Sequence, residues 1–245
     1  MRPFIIFLLF CVLTSAAPMS AQGYFVGTFA LGFPKYDALN DVINKFDQNQ
    51  NQLLGKMDLL TGFEVGIGQY GPKTMMEAKY ASIGARLNSK VPNNPIENSS
   101  VDYHYNYFNY SFGYRPFSKV YFTFGGGLNV GQISTRYSFG GDWIVTNTDY
   151  AASAEVFIDY AVPLKLKRKR NPYLLRIRPY YQQMVGELDI TKFEALLNES
   201  PVSPTTKAIT QNLSHGGVRV SLILPFGKDK KQPKQETTGV PANSR

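Results

Sequence analysis

The sequence predicts an all-β chain: eight antiparallel strands closed up-and-down into a barrel, with short helices in the long loops. Three observations predict it. Eight runs of roughly ten residues alternate apolar and polar positions with a period of two, the signature of a strand with two unlike faces. The connections between the runs are alternately long and short, as in a meander. The two faces also differ in kind, one aliphatic and aromatic, the other charged and rich in glycine, serine and threonine.

The 245 residues suit one β-domain, since barrels reach this size undivided. Residues 1–21 read as a secretory signal peptide. Arg2 is the positive start, Phe4 to Leu13 the apolar stretch, and Ser15 to Ala21 the small-residue exit, with cleavage after Ala21. The apolar stretch is too short to be a spanning helix. Cys11, the only cysteine, lies inside it, so the mature chain is expected to have no disulfide. Residues 22–226 form the predicted barrel. Residues 227–245 are a lysine-rich tail with too few apolar groups to fold.

In the first strand, Gly23 to Phe33, Phe25, Phe29, Leu31 and Phe33 oppose Thr28 and Ala30. Gly62 to Tyr70 sets Phe63, Val65 and Ile67 against Glu64, Gly66 and Gly68. From Met75 to Leu87, Glu77 and Lys79 face away from Met76, Ala78 and Tyr80. Val101 to Tyr114 begins with Tyr103, Tyr105 and Tyr107 on one face and continues with Phe108, Tyr110, Phe112 and Tyr114 on the other, a phase slip that predicts a β-bulge. Val120 to Val130 places Val120, Phe122, Phe124, Leu128 and Val130 opposite Tyr121, Thr123, Gly125, Gly127 and Asn129; glycine within a strand marks close packing or a bend. In Ala154 to Leu164, Val156, Ile158, Tyr160, Val162 and Leu164 oppose Glu155, Phe157 and Asp159. In Tyr173 to Val185, Tyr173, Leu175, Ile177 and Tyr181 oppose Arg176, Arg178 and Gln182. The eighth strand, His215 to Phe226, sets Val218, Val220, Leu222, Leu224 and Phe226 against Arg219 and Ser221.

The long connections are Pro34–Thr61, Asn88–Ser100, Tyr137–Tyr150 and Gly186–Thr210; the short ones are the GPKT, RPFSK and KLKRKRNP turns. An even strand number then puts both ends of the barrel at the short-turn side. Two long loops carry helical spacing: Leu39, Val42, Ile43 and Phe46, with Asp37 as a cap, and Ile190, Phe193, Leu196 and Leu197. These helices are expected to cover the barrel mouth, with a binding surface as the alternative role.

The charged face holds Glu64, Glu77, Lys79, Glu155, Asp159, Arg176, Arg178 and Arg219. A soluble barrel would turn it to water. A transmembrane barrel would turn it inward and present an apolar band flanked by aromatic girdles to lipid. Strands of about ten residues fit a tilted bilayer crossing. Aromatics at the strand ends, Tyr24, Phe25, Phe33, Tyr103, Tyr114, Phe117, Tyr173 and Phe226, are expected to form the girdles. With the signal peptide, the loop alternation and the last strand VRVSLILPF, the chain resembles the small outer-membrane β-barrel proteins of Gram-negative bacteria, the porin-family or OMP β-barrel type. The resemblance implies residence in the outer membrane among its lipids. It also implies that the barrel-assembly machinery reads the terminal aromatic strand; here the chain departs from the pattern by continuing past Phe226.

The net charge of +8 is local: Lys165, Lys167, Arg168, Lys169 and Arg170 share one turn, and Lys228, Lys230, Lys231, Lys234 and Arg245 lie in the tail. These groups are either solvated or set against anionic lipid headgroups; nucleic acid is not a partner expected in that compartment. No metal-ligand spacing, phosphate loop or cofactor motif is present in the sequence. Ser214-His215 hints at a lipid-A-modifying enzyme, but its flanks do not match those enzymes and no carboxylate is placed to orient the ring. An eight-stranded barrel is about wide enough to be filled by its own side chains. The reading is therefore a non-enzymatic barrel with a structural or adhesive role in its loops. The alternatives are a soluble lipocalin-like binding barrel and the lipid-modifying enzyme.

The interior can be read further. If Leu166 pairs with Asn171 around a turn of Lys167 to Arg170, Tyr160 stands opposite Ile177, facing out. Asp159 then stands opposite Arg178, facing in, and the two are expected to form an ion pair. Glu155, Arg176, Arg219, Glu64 and Lys79 extend it into a network.

Overall fold

The computed structural model describes residues 22–50, 54–89, 99–117, 122–139, 142–164, 172–197 and 208–226. The segment read as a signal peptide, the basic turn with its expected Leu166–Asn171 pairing, Val120 and the tail lie outside the described residues. The elements are β1 (Gln22–Pro34), α1 (Asp37–Gln50), β2 (Leu60–Tyr70), β3 (Thr74–Asn88), β4 (Ser99–Tyr114), β5 (Phe122–Phe139), β6 (Asp142–Leu164), β7 (Tyr173–Val185), β8 (Leu188–Asp189), α2 (Thr191–Leu197), β9 (Thr210–Gln211) and β10 (His215–Phe226).

Strands β1 to β7 and β10 close into a barrel in the order β1-β10-β7-β6-β5-β4-β3-β2, each antiparallel to its neighbours. Gly23 pairs with Phe226 beside the β2–β3 turn, so β1 starts and β10 ends at the short-turn side. The register fixes the shape. Following partners once around the wall, from Gln22 to Tyr70, Met75, Gly113, Gly125, Phe157, Tyr180 and Gly217, returns to Gly32, ten residues further along β1. With strands about 4.8 Å apart and a rise of about 3.3 Å per residue, this stagger tilts the strands by about 40°.

The apolar faces point outward. Phe63 is 68% exposed and Leu128 65%, and Phe124 and Val130 share their face. The charged faces are inside: Glu64, Glu77, Lys79, Glu155, Asp159, Arg176, Arg178 and Arg219 are all buried. A lipocalin-like barrel has the opposite polarity, so the soluble reading fails on burial alone.

Three local expectations need correction. β4 carries no bulge: its pairing is continuous from Ser100 to Tyr114 with β3 and from Ser99 to Tyr114 with β5. Tyr103, Tyr105 and Tyr107 stand on the same inner face as Asn109 and Ser111, so the chemistry of that face changes and its phase does not. Tyr24 and Tyr103 are not girdle residues; both are buried inside. The third long connection is mostly strand, because β5 and β6 pair as far as Phe139 and Asp142, with a register shift at Tyr137/Ser138.

The interior is layered. An apolar cluster at the short-turn side contains Tyr24, Val26, Met75, Ala161, Leu174 and Ile223. The charged residues come next. Above them a second apolar cluster joins Tyr103, Tyr105, Ile133, Tyr137 and Met184 to the buried face of α1, Leu39, Val42, Ile43 and Phe46. The helical spacing read in the loop is thus the spacing of side chains seated in the barrel mouth. Edge-on ring contacts anchor the seat, Tyr36 with Tyr103 and Phe46 with Tyr137. The loop after α1 is tied down as Asp47 accepts the Leu54 amide (2.9 Å) and Asn40 accepts that of Met57 (2.7 Å). Helix α2 is entered through an Asx turn in which Asp189 accepts the Thr191 amide at 2.8 Å. Hydrogen bonds from the Thr191 hydroxyl and amide hold the Asp189 carboxyl below its ordinary value. Lys45 and Glu194 join the two helices at 2.9 Å.

Candidate functional site

The charged layer is built from inward positions of β2, β3, β6, β7 and β10. Arg178 meets Asp159 twice, from Nε at 2.5 Å and from Nη2 at 2.8 Å. The register that places them together runs through Tyr160↔Ile177 and Leu164↔Tyr173. Glu77 stands between the two β7 arginines, 2.5 Å from Arg176 Nη1 and 2.9 Å from Arg178 Nη2. Glu64 meets Lys79 and Arg219 Nε, each at 2.6 Å, and Arg219 Nη1 reaches Glu155 at 2.9 Å. Four carboxylates thus face four cations. Buried charges persist when they are paired; this set balances in charge, while Arg176 Nε, Arg178 Nη1 and Glu155 Oε1 have no hydrogen-bond partner among the described residues.

The ion pairs fall into two groups: Asp159, Arg178 and Arg176 with Glu77, and Glu155, Arg219, Glu64 and Lys79. Glu77 was legible as an inward residue but not as the bridge between Arg176 and Arg178. β3 and β7 are diametrically opposed in the strand order, so this contact crosses the lumen. Tyr24 and Tyr107 are further members, donating to Glu77 at 2.9 Å and to Glu64 at 3.1 Å. A chain of amides and a hydroxyl continues upward: Asn109 donates to Asn129 (2.6 Å), and both Asn129 and Gln182 donate to Ser153 (2.9 Å).

Aromatic rings brace the guanidinium groups. Arg178 lies 3.8 Å over the Phe157 ring and Arg219 3.8 Å over Tyr180. Each ring lies across a glycine paired with it on the next strand, Phe157 on Gly125 and Tyr180 on Gly217. A Cβ on either glycine would stand 2.7 Å from the ring and 2.1 Å from a backbone carbonyl, that of Phe112 at Gly125 and of Leu31 at Gly217. The interior glycines therefore make room for these rings.

His215 is buried, with Nδ1 3.1 Å from the Leu213 carbonyl and its ring edge-on to Tyr180. The Ser214 hydroxyl accepts the Met184 amide at 2.9 Å. Ser214 is thus engaged with the end of β7 and His215 with the loop that leads into β10. Among the described residues, no group of three or more His, Cys, Asp or Glu is arranged to hold a metal ion.

No family model matches the sequence, and no curated protein matches it. Among solved structures, Ail, the attachment invasion locus protein of Yersinia pestis, in complex with the heparin analogue sucrose octasulfate, matches over 85% of this chain and 100% of its own. The identity is 11% and the TM-score 0.49. Neisserial surface protein A matches over 84% and 99% at 12% identity and a TM-score of 0.40. The outer membrane protein AlkL in lipid bilayers matches over 84% and 92% at 12% identity and a TM-score of 0.35. Overlaps of this kind transfer no residue role to this chain. Its own geometry, eight staggered strands with an apolar exterior and a charged interior, is that of a closed transmembrane β-barrel.

Proposed function

We propose that this barrel is an exported outer-membrane anchor, closed to solutes, whose work is done by the surface it raises above the membrane. The observation that carries this reading is the filled interior. A balanced ionic layer lies between two apolar clusters, and the upper cluster includes the helix that stops the mouth. Passage would require α1 to leave and several buried ion pairs to separate, each costly to break.

The raised surface supports the second half of the proposal. β3 to β6 remain paired beyond the level where β7 ends, up to Asn88↔Ser100, Ser99↔Phe139 and Phe139↔Asp142. β5 alone continues nine residues past Val130, roughly 30 Å of strand. α1 and α2 pack against the inner face of this sheet in the mouth cluster, giving a platform of the kind on which binding loops are usually carried. A structural or adhesive role fits such a platform, with no chemistry required of it.

Two measurements test the reading. The purified protein in planar bilayers is expected to give no ion-conducting steps; stepwise conductance would overturn the closed anchor. Cells displaying the chain should adhere to protein- or glycan-coated surfaces, and replacing residues 138–144 by Asn-Gly, which keeps Tyr137 against Phe46, should reduce that adhesion while leaving the barrel folded. Equal adhesion by both forms would remove the platform from the proposal.

A further inference from the structure

We propose that the outward wall of β3, β4 and β5 above the apolar band is a docking surface for a phosphorylated glycolipid of the surrounding leaflet, with Arg86 and Arg136 as its anion contacts. In the outer membrane, the reading on which this rests, that wall faces lipid headgroups. The apolar face ends on these strands at Tyr80, Phe108 and Val130, which stand in register and are exposed. On the same outward parity, two residues further toward the long loops, Ser82, Asn106 and Gln132 take their place, and six residues further stand Arg86, Asp102 and Arg136. Among the described residues, Asp102 is the only carboxylate on the outward positions of these strands above that apolar row.

The charged residues are ordered around the buried one. Asp102 is 4% exposed. Arg86 Nε reaches it at 3.2 Å and Arg86 Nη2 reaches the Ser100 hydroxyl at 3.4 Å, while 56% of the Arg86 side chain stays exposed. Arg136, also exposed, is the register partner of Asp102 on β5, and His104 Nε2 stands 3.8 Å from the same carboxylate. One carboxylate between two guanidinium groups leaves an excess positive charge, and it orders Arg86 without covering it. Exposed guanidinium groups take phosphate through paired hydrogen bonds, and one already held loses less freedom in doing so. Height selects the kind of lipid. Six residues at about 3.3 Å each, on strands tilted by about 40°, put Arg136 about 15 Å above Val130, and the stagger of two strands leaves Arg86 about 9 Å above it. Phospholipid headgroups fill only about 5–8 Å above the hydrocarbon. A headgroup of phosphorylated sugars is thick enough to bring anions to both arginines, and the hydroxyl and amide groups of Ser82, Asn106 and Gln132 face the sugar layer below them.

The test uses the full mature chain folded in phosphatidylcholine nanodiscs, with rough lipopolysaccharide, the same lipopolysaccharide treated with phosphatase, and phosphatidylglycerol as probes. Binding is read from the side-chain amide NMR signals of Asn106 and Gln132 as the fraction of each probe lipid is raised. Lipopolysaccharide is expected to half-saturate these signals at about a tenfold lower fraction than either of the other two, the contribution of charge-assisted contacts. The double substitution Arg86→Gln, Arg136→Gln is expected to bring lipopolysaccharide to the level of its phosphatase-treated form. Equal half-saturation by lipopolysaccharide and phosphatidylglycerol, or by lipopolysaccharide and its phosphatase-treated form, overturns the proposal, as does an unchanged preference in the folded double variant. Should that variant fail to fold, the comparison of the two lipopolysaccharides on the unmodified chain decides alone. The heat-dependent gel shift is read on each sample: a chain that inserts and shows no preference defeats the proposal and leaves the membrane reading standing, whereas a chain that never inserts defeats both.

Discussion

Replacing Asp159 by alanine probes the interior lattice at its best-connected pair. Arg178 is fully buried and spends Nε and Nη2 on Asp159, with Glu77 as its other carboxylate partner at 2.9 Å. The change leaves the lattice with one excess positive charge and makes Arg176 and Arg178 share Glu77. Removing one partner of a buried pair costs about 3–5 kcal/mol, and the surviving contact with Glu77 places Asp159→Ala near the lower end, about 3 kcal/mol. Arg178→Ala leaves Asp159 with only Arg176, 3.7 Å away and beyond hydrogen-bonding range, so its cost is about 4 kcal/mol. The double variant removes both charges together. What it loses is mainly packing over the Phe157 ring, and its expected cost is about 4 kcal/mol, well short of the sum of the single changes. The coupling energy is then about 3 kcal/mol. Urea unfolding of the protein folded into lipid vesicles, read by gel shift and tyrosine fluorescence, measures all four corners of the cycle. Additivity within about 0.5 kcal/mol would show that the two side chains do not depend on each other, and the account of the interior would fail with it.

Three more outcomes are expected. Leu128→Arg puts a guanidinium on the lipid face and should destabilise the barrel in a bilayer by about 2–4 kcal/mol, read by the same unfolding titration; a shift below about 0.5 kcal/mol would place that face away from lipid. Gly217→Ala sets a methyl 2.1 Å from the Leu31 carbonyl oxygen and 2.7 Å from the Tyr180 ring and should cost about 1–3 kcal/mol or more as strand and ring both shift, with a change in near-ultraviolet circular dichroism as the ring moves off Arg219; an unchanged spectrum would refute the close packing. A chain ending at Phe226 should insert as well as the full chain or better, measured as the fraction of heat-shifted protein in the membrane, whereas loss of the folded band would make residues 227–245 part of the fold.

Much of the wall was legible because a strand has only two faces. Once Glu64, Lys79 or Arg219 marks the interior, every second residue follows, and Phe63, Tyr80 and Val220 are exposed as that parity requires. The β6–β7 register was legible because one short turn and one charge pair sufficed to place it. Contacts across the lumen were not. Glu77 and Arg176 are separated by half the barrel, and neighbour-to-neighbour pairing rules say nothing about who meets in the middle. An aromatic at a strand end looks the same inside or outside, which is why Tyr24 and Tyr103 were misplaced; only their parity with Thr28 and Asn109 decides it. Above the bilayer both faces of a strand meet polar surroundings or loop, so Thr135, Arg136 and Ser138 lose the contrast that announces a strand, and the extension of β5 and β6 read as loop.

The lattice and the membrane together account for why one register is selected among many. A slip of one residue turns every side chain of a strand to the other face. On β7 it would carry Arg176 and Arg178 from the interior to lipid, at about 2–4 kcal/mol each near the midplane, besides stranding Glu77 and Asp159 inside. The bilayer therefore rejects odd slips. A slip of two keeps each face where it belongs, and lipid cannot detect it. The interior can: a two-residue shift of β6 against β7 would take Asp159 out of reach of Arg178, and a shift against β5 would move the Phe157 ring from Gly125 onto Thr123 or Gly127. Arg178 and Arg219, each bound to a carboxylate on another strand with a ring below it resting on a glycine, check their register from two directions. A buried ionic layer contributes little net stability to a barrel of this size; the arrangement of this one is suited to excluding the even slips that the membrane leaves open.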